Sequence, residues 1–164
     1  PHGVLGGDDP FGVGFVGPHR SSHRVAAENA MGGSGRMNYT ALPRCLYTRP
    51  QVAWVGLTEE QAQAQGIACS VGKVPTAINP YAMIRDQTEG MVKVIACQKY
   101  GRILGAHVMG PGAVDLINAV AVAMLAEATV HELIRFIPMH PSIGEALVDA
   151  ALDVEKRSLH LPAW

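Results

Sequence analysis

The sequence has 164 residues, of which 48% are hydrophobic, and its formal net charge is -1 at pH 7. This length and apolar content suit one domain with a sizeable core and part of a second domain. The near-neutral charge provides no basic field, so no nucleic-acid partner is expected. The three cysteines lie far apart and form no Cys-x-x-Cys pair, which argues against zinc and favours reduced thiols.

The sequence predicts neither a signal peptide nor a membrane span. No basic region followed by an apolar run is found near the start, so no signal peptide is predicted. The longest apolar run, AVAVAMLA at 119–126, is far shorter than the ~20 residues that a membrane span needs, and no membrane partner is expected. The sequence begins PHGVLGG without Met, so we expect a processed product or a piece of a longer protein.

Residues 1–40 have too little apolar content for a core of their own, and we predict a linker region there, with one short helix in RSSHRVAAENAMGG. The segment GVGFVG at 12–17 matches G-x-G-x-x-G, but no strand precedes it, so dinucleotide binding there is disfavoured. His19 and His23 are spaced i, i+4, yet two histidines do not complete a zinc site, and no metal site is expected.

From residue 41 the pattern of strands and helices becomes clear. Thr58 and Gln61 form a capping-box pattern, which predicts a helix that runs to about Gln65. Segments rich in β-branched and aromatic residues predict extended structure, and 90–110 should be a hairpin that turns at Lys99 to Gly101. The predicted extended segments are 51–57, 67–77, a weaker piece YAMIRDQ at 81–87, and the two arms of 90–110.

A helix of about 14 residues is predicted after Gly112 and Ala113. It has no polar side chain between Ala119 and Ala126, and a helix that is apolar all round must be buried all round. One sheet covers only one side of a helix, so the other side requires a second helix or a second chain. The two predicted sides carry Leu116, Ile117, Val120 and Met124 on one, and Ala119, Ala123 and Ala126 on the other.

Two more helices complete the predicted order. Thr129 and Glu132 form a second capping box, and that helix should end before Pro138. A last helix is predicted from about Ile143 to Asp153. The order β-α-β-β-β-β-α-α-α implies an α+β fold, with helices packed on a mostly antiparallel sheet of four to five strands. The predicted domain covers 41–154, and 155–164 is a C-terminal tail.

The segment MHPSIGEAL at 139–147 has two possible interpretations. Ser142 could be the N-cap of the last helix and Glu145 its N3 residue, with His140 an exposed loop residue; capping boxes are common, and the residues alone favour this alternative. Helical side chains lean toward the N-terminus, so Glu145 could instead orient His140 and make it a better base.

Four motifs resemble one known family. Its Y-T-x-P-E-V-A-x-V-G-x-T-E, T-E-G-F-V-K-V, G-x-I-L-G-A-H-x-x-G-P and H-P-T-x-S-E-A are similar to YTRPQVAWVGLTEE, TEGMVKV, GRILGAHVMGP and HPSIGEA, in the same order and spacing. The family is the flavin disulfide reductases, and the likeness is to the C-terminal interface (dimerisation) domain of its dihydrolipoyl dehydrogenase branch. A mercuric, glutathione or transhydrogenase type of reductase is the alternative.

The resemblance implies roles for three residues. His140 would be the acid-base group at the redox disulfide of the partner subunit in a homodimer, and Glu145 would orient and charge it. Asp8, in Gly7-Asp8, is the closest match to the family's flavin-contacting Asp, so that 1–40 resembles the remnant of a flavin-binding domain. Three positions depart from the family pattern: Pro138 replaces a His, Met139 a small residue and Gly144 a Ser.

The full enzyme implied by the resemblance would use FAD and NAD to oxidise dihydrolipoamide on a lipoyl-bearing acyltransferase or carrier protein. It would work in the bacterial cytoplasm or the mitochondrial matrix. This chain lacks a redox C-x-x-x-x-C and a nicotinamide domain, so on its own it is expected to bind neither cofactor and to be inactive. A dimerisation module without chemistry is the second hypothesis, and the apolar helix at 119–126 motivates it.

Overall fold

The computed structural model describes residues 20–161, which divide into two units, one ending at Asn38 and the other beginning at Tyr39. In the first unit, the predicted short helix is α1, Arg20–Ala30. The Asn29 side-chain amide donates to the Gly35 carbonyl at 3.1 Å, just after the helix ends. His23 is exposed on this helix, whereas His19 and Asp8 lie outside the described residues.

The second unit is built on a five-stranded antiparallel sheet with the strand order β1-β2-β5-β4-β3. The α+β class and the mostly antiparallel sheet that the sequence predicted are therefore confirmed. The hairpin of β4 and β5 turns at Gly101, whose φ of 67° suits a residue without a side chain. The strands are β1 Arg44–Leu46, β2 Val52–Gly56, β3 Cys69–Pro75, β4 Met91–Cys97 and β5 Ile103–Met109.

Five helices accompany the sheet. The capping boxes predicted at Thr58 and Thr129 are both present, each with the hydroxyl accepting a backbone N–H and the Gln or Glu side chain accepting the N–H of the cap residue. The helices are α2 Glu59–Ala64, α3 Pro80–Ile84, α4 Ala113–Leu125, α5 Val130–Arg135 and α6 Gly144–Val154, with a short 3-10 turn at Thr76–Ile78.

The extended piece predicted at 81–87 is wrong, because residues 81–84 belong to helix α3 and residues 85 and 86 form a turn after it. The Asn79 side chain accepts the Ala82 N–H at 3.1 Å as an N-cap, and Pro80 occupies the first turn, where a missing N–H costs nothing. Strand β1 was not predicted either. It has three residues, all half-buried, and is defined by its pairing with β2 rather than by a pattern of its own.

Helices α4 and α6 pack on one face of the sheet and enclose the main core. Helix α6 approaches β3 so closely at Gly72 that a methyl group there would overlap the Ala150 carbonyl oxygen and the Val154 amide nitrogen. The Lys73 N–H donates to the Asp153 carboxylate at 2.8 Å and fixes α6 on this edge strand. Fully buried side chains of this core include Val55, Val92, Val94, Val108, Ile117, Val120 and Leu147.

Helix α4 is buried on one side only. Leu116, Ile117 and Val120 face the core, as predicted, whereas Val122 and Leu125 are 66% and 57% exposed on the opposite side. Within the second unit, residues 39–161, no other helix covers that side. The described residues contain no helix with the length and hydropathy of a membrane span.

Candidate acid-base site

The loop between α5 and α6 brings His140 and Glu145 together. The His140 Nδ1 and the Glu145 Oε1 are 2.7 Å apart. The other carboxylate oxygen, Oε2, accepts the Ser142 N–H at 2.8 Å. One side chain therefore holds both the imidazole ring and the backbone at the start of α6.

The helix onset differs from the predicted one. Ser142 is not the N-cap: α6 begins at Gly144, and Ile143 occupies the cap position with helical dihedral angles of -67° and -20°. An N-cap residue needs an extended backbone to turn its side chain back onto the helix, and a side-chain cap is indeed missing at this position. The bond from the Ser142 N–H to Glu145 is the half of the capping box that does form.

Asn79 anchors this loop from the neighbouring helix α3. It is 2% exposed, and its side-chain amide donates to the Ser142 carbonyl at 3.0 Å while its oxygen caps α3. Sequence reasoning missed Asn79, because the contact joins segments far apart in the chain. The Asn-Pro pair at 79–80 was an available signal for a helix start.

The electrostatics of Glu145 favour its charged form. Burial raises the pKa of the carboxyl, but the hydrogen bonds with His140 and Ser142 and the charges of His140 and His160 outweigh it, so the pKa lies below its ordinary value. A carboxylate facing Nδ1 requires a proton on that nitrogen. The other ring nitrogen, Nε2, is then the one that can accept a proton from another molecule.

The His140 side chain is 72% exposed, so another molecule can reach its ring. Large apolar side chains beside it are exposed as well: Ile137 is 89% and Met139 81% exposed. Clustered apolar exposure of this kind is typical of surfaces that another protein covers. The imidazole thus lies in a stretch of chain suited to contact with a second polypeptide.

Two other histidines also pair with carboxylates. His131 Nδ1 lies 3.1 Å from a Glu155 oxygen, and His160 Nδ1 lies 3.3 Å from Asp149. Neither pair is as short as the one at His140. A histidine-carboxylate pair is therefore not sufficient to define the site, and His131, which does not act on Glu145, serves as the matched control in experiments.

A fourth histidine, His107, lies in the middle of β5, opposite Trp54 on β2 and Lys93 on β4. Both of its ring nitrogens are buried without a hydrogen-bond partner in the described chain. Burial, assisted by the charge of Lys93, lowers the pKa of His107 to about 4. Lys93 itself forms an ion pair with Glu59 at 2.7 Å. Sequence analysis did not single out His107.

Residues 20–161 do not contain the parallel βαβ unit that binds dinucleotides in many proteins. Every strand pairing in residues 20–161 is antiparallel, so this part of the chain offers no parallel βαβ unit, whose helix N-terminus would bind a pyrophosphate. Asp8 and the glycine pattern at 12–17 lie outside this range. Likewise, no cluster of three or more metal-ligating side chains is found among the residues that the structure covers.

Comparisons with known proteins agree with this architecture. Residues 42–151 match the family model of the pyridine nucleotide-disulphide oxidoreductase dimerisation domain. The mitochondrial dihydrolipoyl dehydrogenase of Dictyostelium discoideum is 40% identical over 134 residues, which are 82% of this chain and 28% of that protein. The Homo sapiens protein of the same name is 39% identical over 128 residues, 78% of this chain and 25% of its own.

Solved structures give the same result. The HOCl-induced flavoprotein disulfide reductase RclA from Escherichia coli has a TM-score of 0.74 and 30% identity, over 80% of this chain and 31% of that one. LpdA from Mycobacterium tuberculosis has a TM-score of 0.73 and 27% identity, and the match covers 80% of this chain and 29% of that one. The chain thus spans less than a third of the length of each of these four relatives.

Proposed function

Because this chain belongs to the pyridine nucleotide-disulphide oxidoreductase dimerisation-domain family, we propose that it is the interface domain of a dihydrolipoyl dehydrogenase-like flavoprotein oxidoreductase. In that enzyme it forms the homodimer and supplies His140 and Glu145 to the redox disulfide of the partner subunit. The observation that carries the proposal is the 2.7 Å pair with an exposed ring beside exposed apolar side chains.

The chemistry expected of the pair is proton transfer to and from a thiol. A thiol of ordinary pKa, ~8.5, must lose its proton before it can attack a disulfide. The Nε2 of His140 accepts that proton, and the ring becomes positively charged. The Glu145 carboxylate on Nδ1 stabilises the charged ring, and its second hydrogen bond to the Ser142 N–H keeps the carboxylate in position.

The rest of the enzyme would lie in other parts of a longer protein. FAD and NAD would be bound there, with the redox disulfide, and Asp8 is proposed as a flavin contact at the boundary. The substrate would be dihydrolipoamide on a lipoyl-bearing acyltransferase or carrier protein. Similar proteins named as mitochondrial support the mitochondrial matrix as one compartment, with the bacterial cytoplasm as the other.

The natural protein that contains this chain tests the proposal. Dihydrolipoamide oxidation with NAD⁺ should fall by about 10²- to 10⁴-fold in kcat for His140→Gln, because the general base is removed. His131→Gln is the control, since it removes a histidine of similar exposure that also pairs with a carboxylate. Equal activity of His140→Gln and the unmodified enzyme would refute the catalytic assignment.

A dimerisation module without chemistry is the second candidate, and the exposed side of α4 favours it. Sedimentation and the dihydrolipoamide assay together distinguish the two. A His140→Gln protein that stays dimeric and loses activity supports the catalytic role, whereas a dimeric protein of full activity supports the module alone. For the isolated chain we expect no micromolar FAD binding when flavin fluorescence is titrated, and tight binding would contradict the proposed division of roles.

A further inference from the structure

Two of the three cysteines lie directly opposite each other in the sheet. Cys69 on β3 is the register partner of Cys97 on β4. The neighbouring residue pair, Ala68 and Gln98, is hydrogen-bonded, with the Gln98 N–H donating to the Ala68 carbonyl at 3.0 Å. The Cys97 N–H instead points away from β3 and donates to the Arg102 carbonyl at 2.9 Å. Cys69 and Cys97 therefore form a non-hydrogen-bonded pair, the position at which facing side chains of antiparallel strands come closest.

This position suits a disulfide. The Cα atoms of such pairs are typically about 4.5 Å apart, inside the range of roughly 4.4 to 6.8 Å found for bridged cysteines. Both side chains point to the same face of the sheet, because both pack against the small cluster formed by Ala62, Ile95 and Leu104. Cys69 and Cys97 can thus be joined without moving either strand far.

Both thiols are only half-buried, so a small reagent can reach them. They lie where the edge strand β3 begins and where β4 runs into the exposed hairpin turn at 98–100. Cys45 is placed differently. It is on β1, at the opposite edge of the sheet, four strand spacings or about 19 Å from β3, and it packs against the main core.

We propose that Cys69 and Cys97 are a redox-sensitive dithiol, which a small disulfide or a peroxide converts to an intramolecular disulfide. One cysteine loses its proton and its thiolate attacks a sulfur of the small disulfide, whose S–S bond breaks to release one thiolate. The second cysteine, also deprotonated, attacks this mixed disulfide and releases the other thiolate. Two electrons pass from the pair to the reagent, which leaves as two thiols.

Hydrogen peroxide takes the same two electrons by a different path. The first thiolate attacks an oxygen, the O–O bond breaks, and a sulfenic acid forms with release of water. The second thiolate displaces the sulfenic oxygen as a second water and forms the S–S bond. The product joins the edge strand to its neighbour, so we expect the melting temperature to rise by about 5 to 10 °C.

The test uses the reduced 164-residue chain, treated with oxidised glutathione or with hydrogen peroxide, then alkylated and mapped by peptide mass. We expect two of the three thiols to disappear, a peptide linking Cys69 to Cys97, and Cys45 recovered alkylated. Cys45→Ser should behave in the same way. Cys97→Ser should give no intramolecular bridge and no rise in melting temperature.

A denatured control shows whether the fold directs the pairing. The segments from Cys45 to Cys69 and from Cys69 to Cys97 are of similar length, so loop closure in urea should form both bridges to comparable extents. Selective formation of the second bridge in the folded chain supports the proposal. The proposal is overturned if Cys69 and Cys97 are recovered unlinked, or if either is bridged to Cys45 or to another chain. This test uses the unmodified chain, so it does not depend on whether a variant folds.

Discussion

Glu145 serves two neighbours with its two oxygens. One oxygen holds the ring of His140, and the other accepts the Ser142 N–H at the start of α6. The sequence allowed a capping role or a catalytic role, and the structure has a single geometry in which both contacts are made. The onset of the helix therefore fixes where the imidazole lies, which is the arrangement that an oriented base requires.

The pKa of the Glu145 carboxyl should report whether Glu145 is hydrogen-bonded to His140. Its pKa lies below the ordinary value, and among the lowering effects the hydrogen bond with His140 is the strongest. His140→Ala should therefore raise the Glu145 pKa, as read from the carboxyl ¹³C shift in an NMR titration. His160→Ala should raise it less, because His160 acts through its charge alone, and His131→Ala should leave it unchanged. Equal effects of His140→Ala and His131→Ala would contradict the pairing.

His107 should make stability depend on pH. Burial and Lys93 lower its pKa from 6.5 to about 4, so the unfolded chain binds a proton more readily than the folded one. The contribution to the free energy of unfolding is complete above pH 6.5 and is lost as pH falls toward 4. The loss is at most about 3 kcal/mol. Urea unfolding at several values between pH 4 and pH 7 measures it.

The comparison with His107→Leu isolates this contribution from the other histidines. The variant lacks the buried ring, so its free energy of unfolding should fall less between pH 7 and pH 4 than that of the unmodified chain. Lys93, Glu59 and Glu60 are the charged groups that influence His107, and all three remain in the variant. Parallel pH profiles for the two proteins would show that His107 is not held neutral by the fold.

At the scale of helices and strands, sequence patterns correctly predicted the elements that depend on contacts between residues close in sequence. The capping boxes at Thr58 and Thr129 and the hairpin of β4 and β5 involve neighbours in sequence, and all three are present. Strand β1 depends on pairing with β2, and the start of α6 depends on how the loop before it turns. Strand β1 was missed because a sequence pattern carries little information about a partner segment. The start of α6 was predicted to within one residue, and only the N-cap differs, because Ile143 rather than Ser142 occupies that position.

Gly72 tests how closely α6 packs on β3. An added methyl group would overlap backbone atoms of Ala150 and Val154, which cannot rotate aside. Gly72→Ala should therefore push α6 off the strand and lower the free energy of unfolding by about 3 kcal/mol. Urea denaturation provides the measurement. The Lys73 N–H bond to Asp153 should be weakened too, which amide hydrogen exchange would detect.

Gly66→Ala is the matched control. Gly66 has a φ of +69° with open space around it, so alanine meets only the cost of a left-handed backbone, about 1 kcal/mol. Gly72→Ala thus reports the destabilisation caused by steric overlap with α6, and Gly66→Ala reports the destabilisation caused by backbone strain alone. Because α6 begins with the residues that hold His140, Gly72→Ala should also raise the Glu145 pKa. Equal destabilisation by the two variants would mean that α6 and β3 are not in close contact at Gly72.

At the scale of the whole molecule, the sequence indicated the fold class and the candidate pair but not the supporting contacts. His140 and Glu145 are five residues apart, so spacing could connect them. Asn79 reaches the same loop from a distant segment, and His107 is buried by strands on both sides. Such contacts depend on the assembled sheet, which a single sequence does not display.

The apolar helix at 119–126 was expected to be covered on its second side, and within residues 39–161 that side stays open. Its exposed residues follow helical spacing along α4: Asp115, Asn118, Ala119, Val122, Leu125 and Ala126. The family that the chain belongs to is a dimerisation domain. A second copy of this chain is therefore the occupant that we expect on the open side.

Val122→Asp tests this surface. Val122 is exposed in the single chain, so the change should leave the fold intact, but in a dimer it would bury an unpaired carboxylate. The dimer dissociation constant, measured by sedimentation equilibrium, should rise by about 100-fold. Tyr100→Asp is the control, because Tyr100 is 68% exposed but lies on the hairpin turn. A Val122→Asp chain that dimerises as the unmodified chain does, or an unmodified chain that is strictly monomeric, would exclude α4 as the dimer surface.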